Sequence, residues 1–324
     1  MLSFSECKNK IDQEISRLTF QNNKPDELYQ PIAYILGLGG KRIRPVLTLM
    51  ACELFAEKIE DAVHPALAVE IFHNFTLLHD DIMDKALMRR NNPTVHHKWN
   101  ENIAILSGDA MNIIAYQHLC RTKTEYIPEL IDIFSKVAIE ICEGQQLDMN
   151  FETRKDVTLP EYLEMIRLKT AVLLATSLKI GASCGGADES AKEKLYLFGL
   201  NLGLAFQVQD DLLDTFGTEA EFGKSIGGDI AACKKTFLYL KALELASMEK
   251  KQKLERIYND TSAERNKKIL EVLEIFNDLN IKNIASDMVA SYTNAAMKAL
   301  EEIKVHKSKD ELKKLAYLIM NRKA

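Results

Sequence analysis

Two stretches of this chain set acids into apolar, helix-periodic sequence. The first is Leu77-Leu78-His79-Asp80-Asp81-Ile82-Met83-Asp84, and the second is Val208-Gln209-Asp210-Asp211-Leu212-Leu213-Asp214. Both contain Asp-Asp-x-x-Asp. On a helix, Asp80 and Asp84 lie one turn apart on one face, as do Asp210 and Asp214. Clustered carboxylates repel one another and resist burial. They call for a compensating charge, and hard divalent cations supply it. One such triplet is ordinary, whereas two arise by chance in roughly one chain in a thousand of this size. If the two helices face each other, six carboxylates line one cavity. Mg²⁺ usually binds through one or two carboxylates plus substrate phosphates, so the pair suits a Mg²⁺-bound diphosphate.

Basic residues stand where such a substrate needs them. Lys41, Arg42 and Arg44 follow Gly39-Gly40, Arg89 and Arg90 lie just beyond Asp84, and Lys224 and Lys234 follow the second motif. Lys169-Thr170 sits inside the apolar run from Met165 to Leu174. The Gly-Gly-Lys turn lacks the G-x-x-x-x-G-K-[ST] spacing of a nucleotide-binding loop. Backbone N–H groups at a helix start, with cationic side chains beside them, still bind phosphate.

The elements that must position these residues read as helices. No stretch alternates with period two for long enough to make a strand. Helices are expected over roughly 3–20, 26–37, 43–57, 62–88, 101–121, 128–150, 160–184, 189–216 and 229–248. A Lys/Glu-rich helical tail follows over 250–322, broken near Asn259-Asp260 and at Asn280. All seven prolines lie at or before residue 160, nearly all at expected helix starts or connections. No composition shift, linker or repeat divides the chain. The expectation is one all-α domain over 1–324, a single large bundle of long helices around a central active-site cavity.

Composition narrows the function. The 324 residues are 47% hydrophobic, enough for a large core, and the net charge of -5 argues against nucleic acid as the main partner. Six cysteines without a C-x-x-C pair, and an N-terminus that turns polar at once, point to free thiols in a reducing cytoplasm. No apolar run approaches the length of a membrane span, so no stable membrane anchor is expected.

In order along the chain, the motifs resemble those of the trans-isoprenyl diphosphate synthases, the polyprenyl synthetase family with the isoprenoid synthase fold. They are Gly39-Gly40-Lys41-x-x-Arg44-Pro45, His73, Asp80-Asp81-x-x-Asp84, Arg89-Arg90-x-x-Pro93-Thr94 and Lys169-Thr170. Phe206-Gln207-x-x-Asp210-Asp211-x-x-Asp214, Gly223-Lys224-x-x-Gly227-x-Asp229 and Lys234 complete the set. The resemblance covers nearly the whole chain. It implies a prenyltransferase that condenses an allylic diphosphate (dimethylallyl, geranyl or farnesyl) with isopentenyl diphosphate, head to tail and in trans. It also implies a homodimer.

By the same resemblance, Asp80, Asp84 and Asp210 ligate three Mg²⁺, with Mn²⁺ as a substitute. Asp81, Asp211 and Asp214 are further ligands or water-mediated supports. Arg89, Lys169 and Lys224 bind the allylic diphosphate, and Lys234 is a further substrate contact. Lys41, Arg44, His73 and Arg90 hold isopentenyl diphosphate. Lys169, Thr170 and Gln207 direct polar groups toward the developing carbocation. The chain departs from the family pattern in loops: Asn91 replaces a Gly, Ser225 stands where Pro is common, and Cys233-Lys234-Lys235-Thr236 lacks the usual Gly and Pro.

Product length is expected to be read along the helix before the first acids. Phe75 and Thr76 lie about one turn below Asp80, and Phe72 lies a turn further. In the family, one aromatic at the fifth position before the motif with a small residue at the fourth suggests C20 geranylgeranyl or C15 farnesyl diphosphate. Longer-chain synthases, a terpene cyclase, a non-catalytic partner subunit and a metal-dependent phosphohydrolase are the competing readings. Both motifs keep their aspartates, and the Gly-Gly-Lys-x-x-Arg site serves a second diphosphate that a cyclase does not need.

Overall fold

The computed structural model describes residues 2–217, 227–260 and 264–320. Its helices in chain order are α1 (Phe4–Ser16), α2 (Asp26–Gly37), α3 (Ile43–Phe55), α4 (Glu60–Met83), α5 (Val95–Lys98), α6 (Glu101–Leu119), α7 (Ile127–Thr153) and α8 (Leu159–Ile166). After a π-helical turn at Arg167–Ala171 come α9 (Val172–Cys184), α10 (Glu189–Phe216), α11 (Gly228–Ala231), α12 (Phe237–Leu245), α13 (Met248–Asn259), α14 (Arg265–Asp278), α15 (Ile281–Glu301) and α16 (Asp310–Met320). The only strands among the described residues form a two-residue ladder, Met88–Arg89 antiparallel to Asn92–Pro93. The protein is all-α, as expected, and no described helix is long and apolar enough to cross a membrane.

Local chemistry sets the helix ends. Ser3 and Glu6 form a capping box at α1, Asn100 accepts from the Ile103 N–H at α6, and Thr158 and Glu161 form a second box at α8. Two prolines fall inside helices, Pro31 in α2 and Pro65 in α4. Pro65 has no N–H for the carbonyl of Asp61. The Thr122 hydroxyl donates to that carbonyl instead, at 2.7 Å.

Several boundaries differ from expectation. The first acidic helix stops at Met83 rather than near 88, because the chain turns back into the short ladder. The stretch expected as one helix over 229–248 is broken at 232–236, where Cys233 has a left-handed backbone (φ 55°). In the tail, the breaks near Asn259 and Asn280 are present, and a third lies between α15 and α16.

The described contacts fall into two compact units. The first comprises 1–137, 173–196 and 302–312. Its core buries Phe72, Phe134, Leu47, Leu49, Met50 and Leu67 completely or nearly so. α3 and α9 approach backbone to backbone: a Cβ on Gly181 would sit 2.0 Å from the Thr48 carbonyl oxygen. α4, which carries the first acids, packs along α6 and α3. The second unit comprises 138–172, 197–301 and 313–324. Its core includes Tyr162, Ile166, Val208, Phe237, Leu254 and Phe276, and it carries the second acids near the end of α10.

Candidate active site

In the first unit the acids end α4, where the helix dipole disfavours negative charge. Asp80 is half-buried, Asp84 exposed, and Asp81 only 2% exposed. Helical geometry explains the division. Asp80 and Asp84 share a face, whereas Asp81 is rotated by about 100° toward the interior. Burying that carboxylate requires a partner, and Arg89 provides one. Its Nε donates to both Asp81 oxygens at 2.8 Å, and its Nη2 lies 2.7 Å from Asp81 and 3.6 Å from Asp80. Burial works against the Arg89 charge, but the Asp81 carboxylate outweighs it and raises the guanidinium pKa.

The ladder is what returns Arg89 to α4. Its two turn residues, Arg90 (φ 52°) and Asn91 (φ 60°), are both left-handed, as a two-residue type I′ hairpin requires. Asn is one of the few side chains that accept that conformation readily. The same turn aims Arg90 at the Gly39-Gly40 loop. Arg90 Nη1 donates to the Gly39 carbonyl, and a Cβ on Gly40 (φ 139°) would meet the guanidinium at 3.0 Å.

Arg44, on the first turn of α3, lies 3.2 Å from His73 Nε2. Burial and then the charges of Arg44, Arg90, Arg89 and Arg42 hold the His73 pKa well below its usual value. A neutral His73 accepts from Arg44 through Nε2. Lys41 is exposed beside them. The structure thus brings Arg44, His73, Arg89 and Arg90 into one basic cluster beside the acids. Arg42, which the motif reading left without a role, sits beneath it. It is 5% exposed and left-handed (φ 53°). It binds Glu70 at 2.6 Å, Asp12 at 3.0 Å and the Leu36 carbonyl at 2.8 Å, and so anchors the Gly-Gly-Lys loop.

Below the acids, Phe75 is half-buried with its ring 4.7 Å from His79 and 5.4 Å from Phe72. Phe72 is a core residue, 1% exposed and edge-on to Phe134 at 5.0 Å. The Thr76 hydroxyl bonds back to the His73 carbonyl at 2.8 Å. α6 closes on this wall at Gly108, where a Cβ would lie 2.3 Å from His79 Nε2.

In the second unit the middle aspartate is again the buried one. Asp211 is 3% exposed and accepts from the Tyr162 hydroxyl at 2.5 Å, the Phe237 N–H at 3.1 Å and Gln207 Nε2 at 3.4 Å. Burial raises its pKa to about 7, against the pull of the Tyr162 hydrogen bond. Asp214 accepts from the Asp229 N–H at 2.9 Å, and its carbonyl accepts from the Gly227 N–H at 2.6 Å. Asp210 is only half-buried. Lys234 is largely exposed, with Nζ 3.8 Å from Asp229. Lys224 lies outside the described residues.

Lys169 and Thr170 occupy the π-helical turn. A π-bulge adds a residue to the helix circumference, and such bulges recur at functional sites. Here it presents Lys169 to Asp148 at 2.6 Å and Thr170 to Gln207 at 3.3 Å. Two glycines make room for it. A Cβ on Gly144 of α7 would sit 2.4 Å from the Lys169 nitrogen, and one on Gly203 of α10 would sit 2.6 Å from the Ala171 Cα. Motif reading missed Tyr162, Asp148 and the bulge. Asp148 could have been suspected as an acid on α7, but periodicity carries no signal for a π turn.

These donors fit hard divalent cations. Asp80 and Asp84 stand near the end of α4, half-buried and exposed, and Asp210 is half-buried near the end of α10. Asp81, Asp211 and Asp214 are engaged with protein donors. Among the described residues no three potential ligands converge as a ready-made cage.

A family model for polyprenyl synthetases matches residues 25–276. The chain is 43% identical over 249 residues to a geranylgeranyl diphosphate synthase of Methanosarcina mazei, covering 75% of this chain and 76% of that one. It is 40% identical over 238 residues to a geranylfarnesyl diphosphate synthase of Natronomonas pharaonis, covering 68% and 70%. A crystal structure of a geranylgeranyl pyrophosphate synthase superposes with a TM-score of 0.93 at 42% identity, covering 100% of both chains. The chain belongs to the polyprenyl synthetase family and is a transferase, a short-chain prenyltransferase that joins an allylic diphosphate to isopentenyl diphosphate.

Proposed function

We propose that this prenyltransferase makes C20 geranylgeranyl diphosphate and depends on Mg²⁺. The observation that carries the reading is the Arg89 guanidinium shared by Asp81 and Asp80 beside the Arg44–His73 cluster. Carboxylates for a metal and cations for phosphate stand side by side. Asp80, Asp84 and Asp210 would hold the ions, three per site, with Asp81, Asp211 and Asp214 keeping their loops and cations in place. Mn²⁺ would substitute. When bound, the metal stabilises charge on the departing diphosphate.

The protein's own residues supply the rest. Arg89, Lys169 and Lys224 bind the allylic diphosphate, with Lys234 as a further contact. Their positive charge lowers the barrier to breaking the C1–O bond. Lys41, Arg44, Arg90 and neutral His73 hold isopentenyl diphosphate with its double bond toward the allylic cation. The Thr170 hydroxyl and Gln207 carbonyl, 3.3 Å apart, stabilise that cation through their oxygen dipoles. The released diphosphate takes the final proton. No nucleophilic side chain is required.

Phe75 would limit chain growth from its perch on Phe72. The identities to geranylgeranyl and geranylfarnesyl diphosphate synthases support a product of C20 rather than C15. We also take the chain as one domain over 1–324, since the family match runs through segments of both compact units. A cytoplasmic homodimer completes the reading, supported by six unbridged cysteines and by the family. Incubation with isopentenyl diphosphate and each allylic starter, followed by chromatography of the dephosphorylated products, tests it. Phosphate release without extension, or a cyclic hydrocarbon, would contradict it.

A further inference from the structure

Cys233 and Lys268 form an unusual contact in the second unit. Lys268 lies on α14, and its side chain is 96% removed from solvent, leaving 4% exposure. Lysine is rarely buried this far without an acidic partner. Among the described residues its polar neighbours are the Cys233 Sγ at 2.7 Å and the Asp260 carbonyl at 3.4 Å, with the Tyr258 ring centroid at 5.9 Å. The amine is aimed at the thiol itself.

The turn is built to bring them together. α14 packs over α11, the short helix just before Cys233: a Cβ on Gly227 would meet the Ile269 side chain at 2.8 Å. Cys233 is part-exposed and left-handed (φ 55°), which directs its side chain away from the path a helix would give it. Cys233 packs against the second unit's core while keeping part of its surface in solvent, and Lys268 beside it is buried.

We propose that Cys233 and Lys268 are an oxidant-responsive pair that closes a covalent S–N bridge. A hydroperoxide oxidises the thiol to a sulfenic acid, with transfer of one oxygen and release of water when hydrogen peroxide is the oxidant. Sulfenic acids condense with amide nitrogen to sulfenamides, and the closer, more nucleophilic amine does the same here. Loss of one ammonium proton to solvent frees the Lys268 nitrogen to attack sulfur; the S–O bond breaks, and the departing hydroxide takes the second N–H proton and leaves as water. The sulfur is oxidised, the peroxide is reduced, and the product is lighter than the starting chain by two hydrogens. The bridge would tie the turn that leads into Lys234 to α14.

The test uses the full chain treated with graded hydrogen peroxide, then intact-mass measurement and peptide mapping. The expected result is one product lighter by two hydrogens, with Cys233 and Lys268 in one cross-linked peptide, reverting to the starting mass with dithiothreitol. Lys268→Arg and Lys268→Met are expected to give a sulfenic acid at Cys233 that dimedone traps, and no bridge. Cys233→Ala removes both products. Oxygen addition at Cys233 of the unaltered chain without a cross-link, or earlier oxidation of the exposed Cys120 or Cys142, would overturn the proposal.

Discussion

Arg89 holds both oxygens of Asp81 at 2.8 Å while its Nη2 reaches to 3.6 Å from Asp80. One guanidinium therefore reads the buried and the half-buried acid of the first motif. The bidentate fork cannot be copied by lysine. Arg89→Lys is expected to lower kcat/KM for the allylic substrate about 10- to 100-fold, the scale of a lost charge-assisted hydrogen bond. Asp80→Asn should instead raise the Mg²⁺ concentration needed for half-maximal rate. Steady-state kinetics over a metal titration checks both, and unchanged metal dependence in Asp80→Asn would tell against its role as a ligand.

The π-helical turn depends on missing side chains opposite it. Gly144→Ala places a methyl 2.4 Å from the Lys169 backbone nitrogen, and Gly203→Ala places one 2.6 Å from the Ala171 Cα. Backbone cannot step aside as a flexible side chain can. Each substitution is expected to cost about 1–3 kcal/mol of stability by overpacking, and to lower kcat through displacement of Lys169 and Thr170. Denaturant melts and turnover measured together test this. Full activity in a stable Gly203→Ala chain would show that the turn does not set the reactive geometry.

Phe72 and Phe75 look alike in sequence but not in place. Phe72 is core, while Phe75 stands on it and remains half-buried. Phe75→Ala is expected to lengthen the product with little loss of stability. Phe72→Ala should cost about 3–5 kcal/mol and alter product length only if the fold survives. Product chromatography beside thermal melts separates the two, and an unchanged product in Phe75→Ala would remove it as the ruler.

His64 and His118 face each other through Nδ1 atoms 3.3 Å apart, between α4 and α6. Burial lowers the His64 pKa and takes His118 from 6.5 to about 4. Between those values the unfolded chain binds the His118 proton and the folded chain does not. The contribution of this group is therefore complete above pH 6.5 and is lost as pH falls toward 4. The stability gap between the unaltered chain and His118→Gln should shrink over that window. Urea melts at pH 7.5, 6 and 5 measure it, and a constant gap would contradict the assignment.

Much of this was legible before any coordinates. The i, i+4 spacing placed Asp80 and Asp84 on one face, and the expected helix over 189–216 is α10 to the residue. What spacing could not tell is which acid turns inward. Asp81 and Asp211 are each one residue past the first acid, and only packing against Arg89 or Tyr162 shows why burial is tolerated there. The π turn was hidden because Lys169-Thr170 continues the helical periodicity, and its cause lies in Gly144 and Gly203, far away in sequence. The break at 232–236 was hidden because Cys233 carries no turn signature of its own. Arg42 has no role legible in the motif, because a basic residue between two motif cations looks redundant until Glu70 and Asp12 are seen around it.

The most direct test of the account is product chromatography after incubation with isopentenyl diphosphate, Mg²⁺ and dimethylallyl, geranyl or farnesyl diphosphate in turn, with chelated controls. The account predicts geranylgeranyl diphosphate as the end product from every starter that is accepted, and no extension once the metal is removed. Extension that persists in chelator, or an end product of C15, would contradict it.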